Sequence, residues 1–264
     1  MRDGFMNWVS SGDATLAVYL DGEKSKPWLV LSNSLGADAS MWDSQIPALT
    51  QTHRVARYDT RGHGRSSTSS ERPQLDTLAA DLLCVMDTLG VPKADILGLS
   101  LGGATALAFA LSHPERVHKL ICAAARVDAP RPFIDVWTSR ARAVSARGMR
   151  AVVDESVKRW FSHRNPELEE HGRRMLLATS IDGYVGCIHA LTQMNFLDDL
   201  PSIRLPVLYL AGGADQGIPP EVMQSMASVT PDSELQVIPE AAHLCNMDRP
   251  AAFNEAVRRF LAAP

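Results

Sequence analysis

No apolar run in this 264-residue chain approaches the ~18 residues needed to span a bilayer, so no membrane-spanning segment is expected. The first twenty residues lack a basic stretch followed by an unbroken apolar one, so no secretory signal is visible. Only four cysteines occur, Cys84, Cys122, Cys187 and Cys245, and no two are spaced as CxxC. That spacing argues against structural zinc, and without a secretory signal the thiols are expected to be reduced, as in a cytoplasmic protein. Cys122, Cys187 and Cys245 read most simply as small buried hydrophobes. Long lysine and arginine runs are missing and the net charge is −4, which argues against nucleic acid as the main partner. Internal repeats and low-complexity tracts are also absent.

What is present is ordinary globular material, 45% apolar and 21% charged. Short, nearly continuous hydrophobic runs at Trp28 to Ser32, Arg54 to Tyr58, Ala94 to Gly98, Lys119 to Cys122 and Pro206 to Leu210 read as strands covered on both faces. A weaker run, Glu234 to Ile238, follows them. Helical patterns alternate with these strands. Between Leu75 and Leu89 the apolar residues fall at 75, 78, 79, 82, 83, 86 and 89, and Gly90 and Pro92 mark the stop. Alternation of this kind predicts an α/β fold with a mostly parallel sheet.

The alternation breaks between residues 126 and 195, where several helices are expected, among them Ile134 to Ala146 and Ala151 to Phe161. Strand–helix units then resume and end with a helix over Pro250 to Leu261. The expected organisation is a core over residues 1–125 and 196–264, with a helical cap inserted at 126–195. The insertion carries 11 Lys/Arg against 8 Asp/Glu, whereas the remainder carries 15 against 22. A basic cap on an acidic body favours an anionic ligand between them.

The sharpest motif is Gly98-Leu-Ser-Leu-Gly102, placed after a strand and before the helical run Gly103 to Ser112. The G-x-S-x-G turn between strand and helix is so tight that its flanking positions need small residues, and it lifts the serine above the sheet. Ser100 is thus the candidate nucleophile. A serine hydroxyl needs a base, and His243, in the loop between Ile238 and the last helix, is the first candidate. His63, in Arg61-Gly-His-Gly-Arg65, is its rival. His53, His113, His118, His163 and His171 read as surface residues, and His189 belongs to the insertion. Asp215, in a Gly/Pro-bounded loop after Leu210, is the candidate carboxylate partner of the histidine. Asp59, Asp128 and Asp248 are weaker, and Asp59 is better suited to anchoring the Arg61–Arg65 loop. The order Ser100, Asp215, His243 is that of α/β-hydrolases. Backbone N–H donors for an oxyanion are expected at Leu101 and in the Asn33–Gly36 loop, where Leu35 is preferred over Ser34 by position. Gly36 is expected to let that loop pass close to a ligand.

With these residues in view, the chain resembles the α/β-hydrolases, and within them the 3-oxoadipate enol-lactonases. The matching pieces are Leu31-Ser-Asn-Ser-Leu-Gly36, Met41-Trp-Asp43, Arg57-Tyr-Asp-Thr-Arg-Gly-His-Gly64, Gly98 to Gly103 and Ala242-His-Leu244. In the insertion, Trp137-Thr-Ser-Arg140 and Arg159-Trp-Phe161 are also similar to that group. Ala123-Ala-Ala-Arg-Val127 departs from its pattern. The resemblance implies eight strands, a helical cap, no metal or organic cofactor, and hydrolysis of a small anionic lactone in the β-ketoadipate pathway of aromatic degradation. Trp137 and Arg140 share a helix face by their spacing; Trp137 is expected to pack the lactone ring and Arg140 to pair its carboxylate. A broad carboxylesterase or another lactonase would use the same triad. An inactive receptor on the hydrolase fold is the alternative from a different class.

Overall fold

The computed structural model describes residues 5–263 and contains one eight-stranded sheet. Its strands are β1 (Phe5–Ser11), β2 (Ala14–Asp21), β3 (Trp28–Ser32), β4 (Arg54–Tyr58), β5 (Ala94–Leu99), β6 (Val117–Ala123), β7 (Val207–Gly212) and β8 (Ser233–Ile238). They lie in the order β1-β2-β4-β3-β5-β6-β7-β8. The β1–β2 and β2–β4 pairs are antiparallel and all others are parallel. Every residue of β5 and β7 is buried, as continuous apolar runs in the middle of a covered sheet require.

The helices are α1 (Ile46–Leu49), α2 (Leu75–Thr88), α3 (Leu101–Ser112), α4 (Arg131–Arg147), α5 (Val153–Trp160), α6 (Pro166–Ala178), α7 (Ile181–Gln193), α8 (Pro220–Val229), α9 (Cys245–Asp248) and α10 (Pro250–Ala262). Helix α2 buries Leu75, Leu78, Ala79, Leu82 and Met86 as its spacing predicts, and also Val85, while Leu83 and Leu89, which the spacing placed on the same face, are half-buried. It stops where the sequence marks it: Gly90 takes φ +66, and Val91 N–H donates to the Met86 carbonyl at 2.8 Å. No single helix among the described residues is long and apolar enough to cross a membrane.

The β1–β2 hairpin was not among the expected strands. Its register pairs Ser11 with Ala14, leaving Gly12-Asp13 as a two-residue turn with φ +59 at Gly12. β1 is an edge strand with Trp8 half exposed, so its sequence mixes polar and apolar residues and gives no clean run. All four cysteines are free, and Cys122, Cys187 and Cys245 are buried.

Helices α4–α7 all lie between β6 and β7. The chain enters and leaves this insertion side by side, because Asp128 bridges Asn195 and Phe196 N–H donates to the Val127 carbonyl at 3.0 Å. The start of α7 rests on the loop after β4. Ser180 N–H donates to the Gly62 carbonyl at 2.9 Å, and Gly62 and Gly183 touch so closely that a Cβ on either would collide with the other's backbone. That loop is braced from below by Arg61, whose Nε donates to Asp81 Oδ2 of α2 at 2.7 Å in a buried pair. Removing one member of such a pair leaves an uncompensated buried charge. Asp81→Ala is therefore expected to lower the free energy of unfolding by about 3 kcal/mol, read as a lower urea midpoint with an unchanged denaturant slope.

Candidate active site

Ser100 stands at the junction of β5 and α3 with φ +58 and ψ −114, a conformation that a residue with a side chain rarely adopts. The glycines around it explain how the turn is tolerated. A Cβ on Gly98 would lie 2.0 Å from the Gly102 carbonyl oxygen, and one on Gly102 would lie 2.1 Å from that of Ser32. The helix thus begins pressed against both β5 and β3. Ser100 N–H donates to the Ala123 carbonyl at 2.8 Å, which fixes the turn against β6. The hydroxyl is left half-buried at the floor of a cavity.

His243 Nε2 lies 2.9 Å from Ser100 Oγ, and His243 Nδ1 lies 2.7 Å from Asp215 Oδ2. The structure thus brings together Ser100, His243 and Asp215 in one hydrogen-bonded chain. Asp215 Oδ1 accepts the N–H groups of Gly217 at 2.8 Å and Ile218 at 3.1 Å. Burial alone would raise the Asp215 pKa, but His243 and these two amides outweigh it and hold the carboxyl below its ordinary value. Asp215 therefore stays ionised and fixes Nδ1 of His243 as the protonated nitrogen, so Nε2 is free to accept the serine proton.

The weaker candidates have structural duties. Asp59 accepts from Ala39 N–H at 2.7 Å and Arg65 N–H at 2.9 Å, anchoring the Arg61–Arg65 loop. Asp128 pairs with Arg126 at 2.8 Å. His53 is a correction to its surface reading, since it is buried and lies 3.1 Å from Asp95 Oδ2. His189 is half-buried and does not line the cavity. His63 is fully buried; its Nδ1 donates to the Arg61 carbonyl at 3.0 Å, and its Nε2 has no partner among the described residues.

Leu101 is the first residue of α3, and Leu35 lies in the loop after β3. Neither N–H makes a hydrogen bond among the described residues, whereas Ser34 N–H is directed to Met41 Sδ at 3.4 Å. That engagement separates Leu35 from Ser34, which sequence position alone could not do. Asn33 shapes the loop by donating to the Tyr58 carbonyl at 2.7 Å and accepting from Trp42 Nε1 at 2.8 Å. Gly36 does permit a close approach, with φ +79, but its neighbour in the structure is Leu176 of α6 at 2.7 Å from an ideal Cβ.

The cavity has a volume of about 700 Å³ and is bounded by Ser100 and His243 below and by α4 and α5 above. Trp137 lines it, as expected. Arg140 does not: it is buried behind the cavity wall, where Nη1 lies 2.9 Å from Glu155 Oε1 and Nη2 donates to Ser156 Oγ and, at 3.3 Å, to Tyr184 Oη. The expected role of Arg140 is therefore corrected. Spacing put it on the Trp137 face but could not show that this face also packs against α5 and α7. The arginines in the cavity wall are Arg126, which is paired with Asp128, and Arg159, which no periodicity singled out, although Arg159-Trp-Phe161 belongs to the resemblance already noted. No group of three or more His, Cys, Asp or Glu side chains among the described residues is placed to hold a metal.

The His243 loop and the insertion are stitched together through their backbones. His243 N–H donates to the Arg159 carbonyl at 3.5 Å and Leu244 N–H to that of Trp160 at 3.1 Å. Asp248 Oδ2 completes the seam by accepting Ala242 N–H at 2.7 Å and Ser162 N–H at 3.1 Å.

Residues 27–164 match the family described as alpha/beta hydrolase fold. The chain is 34% identical over 259 residues to 3-oxoadipate enol-lactonase 2 of Acinetobacter baylyi, covering 96% of this chain and 95% of that one. It is 32% identical to a Caulobacter protein provisionally named carbamate hydrolase RutD, covering 98% and 96%. The crystal structure of the enol-lactonase from Burkholderia xenovorans superposes with a TM-score of 0.94 at 32% identity, over 97% of this chain and all of that one.

Two expectations follow. Asp248→Ala frees two backbone donors beside His243, so kcat should fall at least tenfold while stability drops by about 1–3 kcal/mol; stopped-flow hydrolysis and urea denaturation measure the two separately. Burial lowers the His63 pKa to about 4, against ~6.5 in an unfolded chain. The unfolded state then binds the extra proton between those values, so stability should decline as pH falls from about 6.5 to 4, by about 3 kcal/mol in all. His63→Gln should remove that part of the slope in denaturation curves taken across this range.

Proposed function

The chain belongs to the alpha/beta hydrolase fold family, and from that premise we propose that it is a serine hydrolase that opens 3-oxoadipate enol-lactone to 3-oxoadipate. The observation that carries the reading is the Ser100–His243–Asp215 chain at 2.9 and 2.7 Å on the floor of a cavity. Its setting within a chain 34% identical to an enol-lactonase supports the choice of substrate.

In this mechanism Ser100 Oγ attacks the lactone carbonyl while His243 Nε2 takes its proton. Asp215 stabilises the imidazolium that forms. The oxyanion is held by Leu35 N–H and Leu101 N–H, both uncommitted within the fold. The C–O bond breaks with an enolate as leaving group, which becomes the ketone after protonation. Water activated by His243 then hydrolyses the acyl-enzyme and restores Ser100. An enolate leaves more readily than a simple alkoxide, so general-acid assistance contributes less here than in ester cleavage. A lactone ring fits the flat wall offered by Trp137. Free thiols are in keeping with a cytoplasmic enzyme.

The 32% identity to the Caulobacter protein supports one second reading, a carbamate hydrolase on the same triad. Steady-state hydrolysis of 3-oxoadipate enol-lactone, neutral p-nitrophenyl esters and a carbamate decides among them, with Ser100→Ala as control. The expected result is a kcat/KM for the lactone at least a hundredfold above the others and abolished by Ser100→Ala. Comparable or better turnover of the esters or the carbamate would overturn the enol-lactone assignment while keeping the triad.

A further inference from the structure

Four cations lie in or behind the cavity wall, and three of them are accounted for. Arg126 pairs with Asp128 at 2.8 Å and lies over the Phe133 ring at 4.9 Å. Arg140 is held by Glu155, Ser156 and Tyr184. Lys158 is exposed.

Arg159 is different. It is half-buried in the wall, and among the described residues its guanidinium makes no hydrogen bond and no ion pair. Its Nε is buried without a partner. Its guanidinium carbon lies 5.0 Å from the centre of the Trp137 ring. Burial, followed by the neighbouring Arg140 charge, disfavours its protonated form, yet a guanidinium stays charged in proteins. The nearby carboxylates are already committed, Glu155 to Arg140 and Asp215 to His243. A partly desolvated cation with no acceptor is costly, and such a group calls for an explanation. An anionic group on the substrate supplies the missing acceptor.

We propose that Arg159, backed by Trp137, is the anion-recognition residue of this cavity and receives the carboxylate that the substrate carries away from its scissile carbonyl. The proposal rests on the hydrolase reading above and assigns the residue that holds the substrate's carboxylate. A planar guanidinium fork receives a carboxylate through two parallel hydrogen bonds. One uncompensated positive charge calls for one negative charge. The main chain of the same residue accepts His243 N–H at 3.5 Å, so the backbones that carry the two groups are joined directly. A carboxylate held by Arg159 is thereby placed in a fixed register with His243.

The test compares mono-p-nitrophenyl adipate with p-nitrophenyl hexanoate, which differ by a carboxylate in place of a methyl group. The readout is the ratio of their kcat/KM values, because general damage to the triad cancels in it. In the unaltered protein the ratio should favour the adipate half-ester by tenfold or more. Arg159→Met should lower the ratio ten- to a hundredfold, with Arg159→Lys in between. A ratio that is unchanged in Arg159→Met, or that collapses in Arg140→Met instead, overturns the proposal. Should neither ester be turned over, the anion site is still measurable by binding. Calorimetric binding of adipate to Ser100→Ala that is lost on adding Arg159→Met supports the site, and no binding in either protein overturns it.

Discussion

Everything at the cavity floor depends on a steric bargain at one turn. Ser100 is held at φ +58 because β5 must pass into α3 without an intervening loop, and that passage exists only where neighbouring backbones can nearly touch. Gly98 and Gly102 supply the room, with carbonyl oxygens about 2 Å from where a Cβ would sit. The strain is local, but its support is distributed over β3, β5 and β6, the buried middle of the sheet. A flexible loop could present a serine hydroxyl too, but not at a fixed 2.9 Å from a histidine on a different segment. Rigid strands on either side convert a strained turn into a positioned hydroxyl.

The histidine has a different kind of support. Its loop follows the edge strand β8 and is held both by the core, through Ala214 N–H to the Ala241 carbonyl and Gln45 to the Asn246 carbonyl, and by the insertion. Residues 159–162 lie along residues 242–244, joined by backbone hydrogen bonds and by one carboxylate oxygen of Asp248. At its other end the insertion rests on the Gly62–Gly183 contact, braced by the Arg61–Asp81 pair. The helices above the cavity are thus part of what positions His243, and they cannot shift at α5 without disturbing the base. The cavity wall and the support of the His243 loop share the same few residues.

This division explains what could be read from the sequence. The parallel strands were visible because strands buried on both faces must be continuously apolar, and the elbow was visible because its steric demand leaves only small residues at fixed spacing. His243 and Asp215 followed from their place after β8 and β7. The β1–β2 hairpin was not visible because an edge strand with Trp8 half exposed carries no comparable constraint. His53 was misread because its burial comes from Asp95, 42 positions away, rather than from its neighbours in the chain. The choice between Leu35 and Ser34 likewise turned on a contact with Met41 that spacing does not encode.

The arginines show the same limit most sharply. A local excess of positive charge in residues 126–195 suggested an anionic ligand, and helical spacing pointed to Arg140. Net charge, however, counts paired and unpaired groups alike. Arg140 and Arg126 have their countercharges within 3 Å, so neither contributes much field to a ligand. Arg159 sits beside Arg140 on the same indole and has none. Glu155 can neutralise one of these two guanidinium groups directly, and it is placed on Arg140. The asymmetry of a single carboxylate between two arginines is therefore what turns a generally basic insertion into one localised, unsatisfied charge in the wall of the cavity that Ser100 lines.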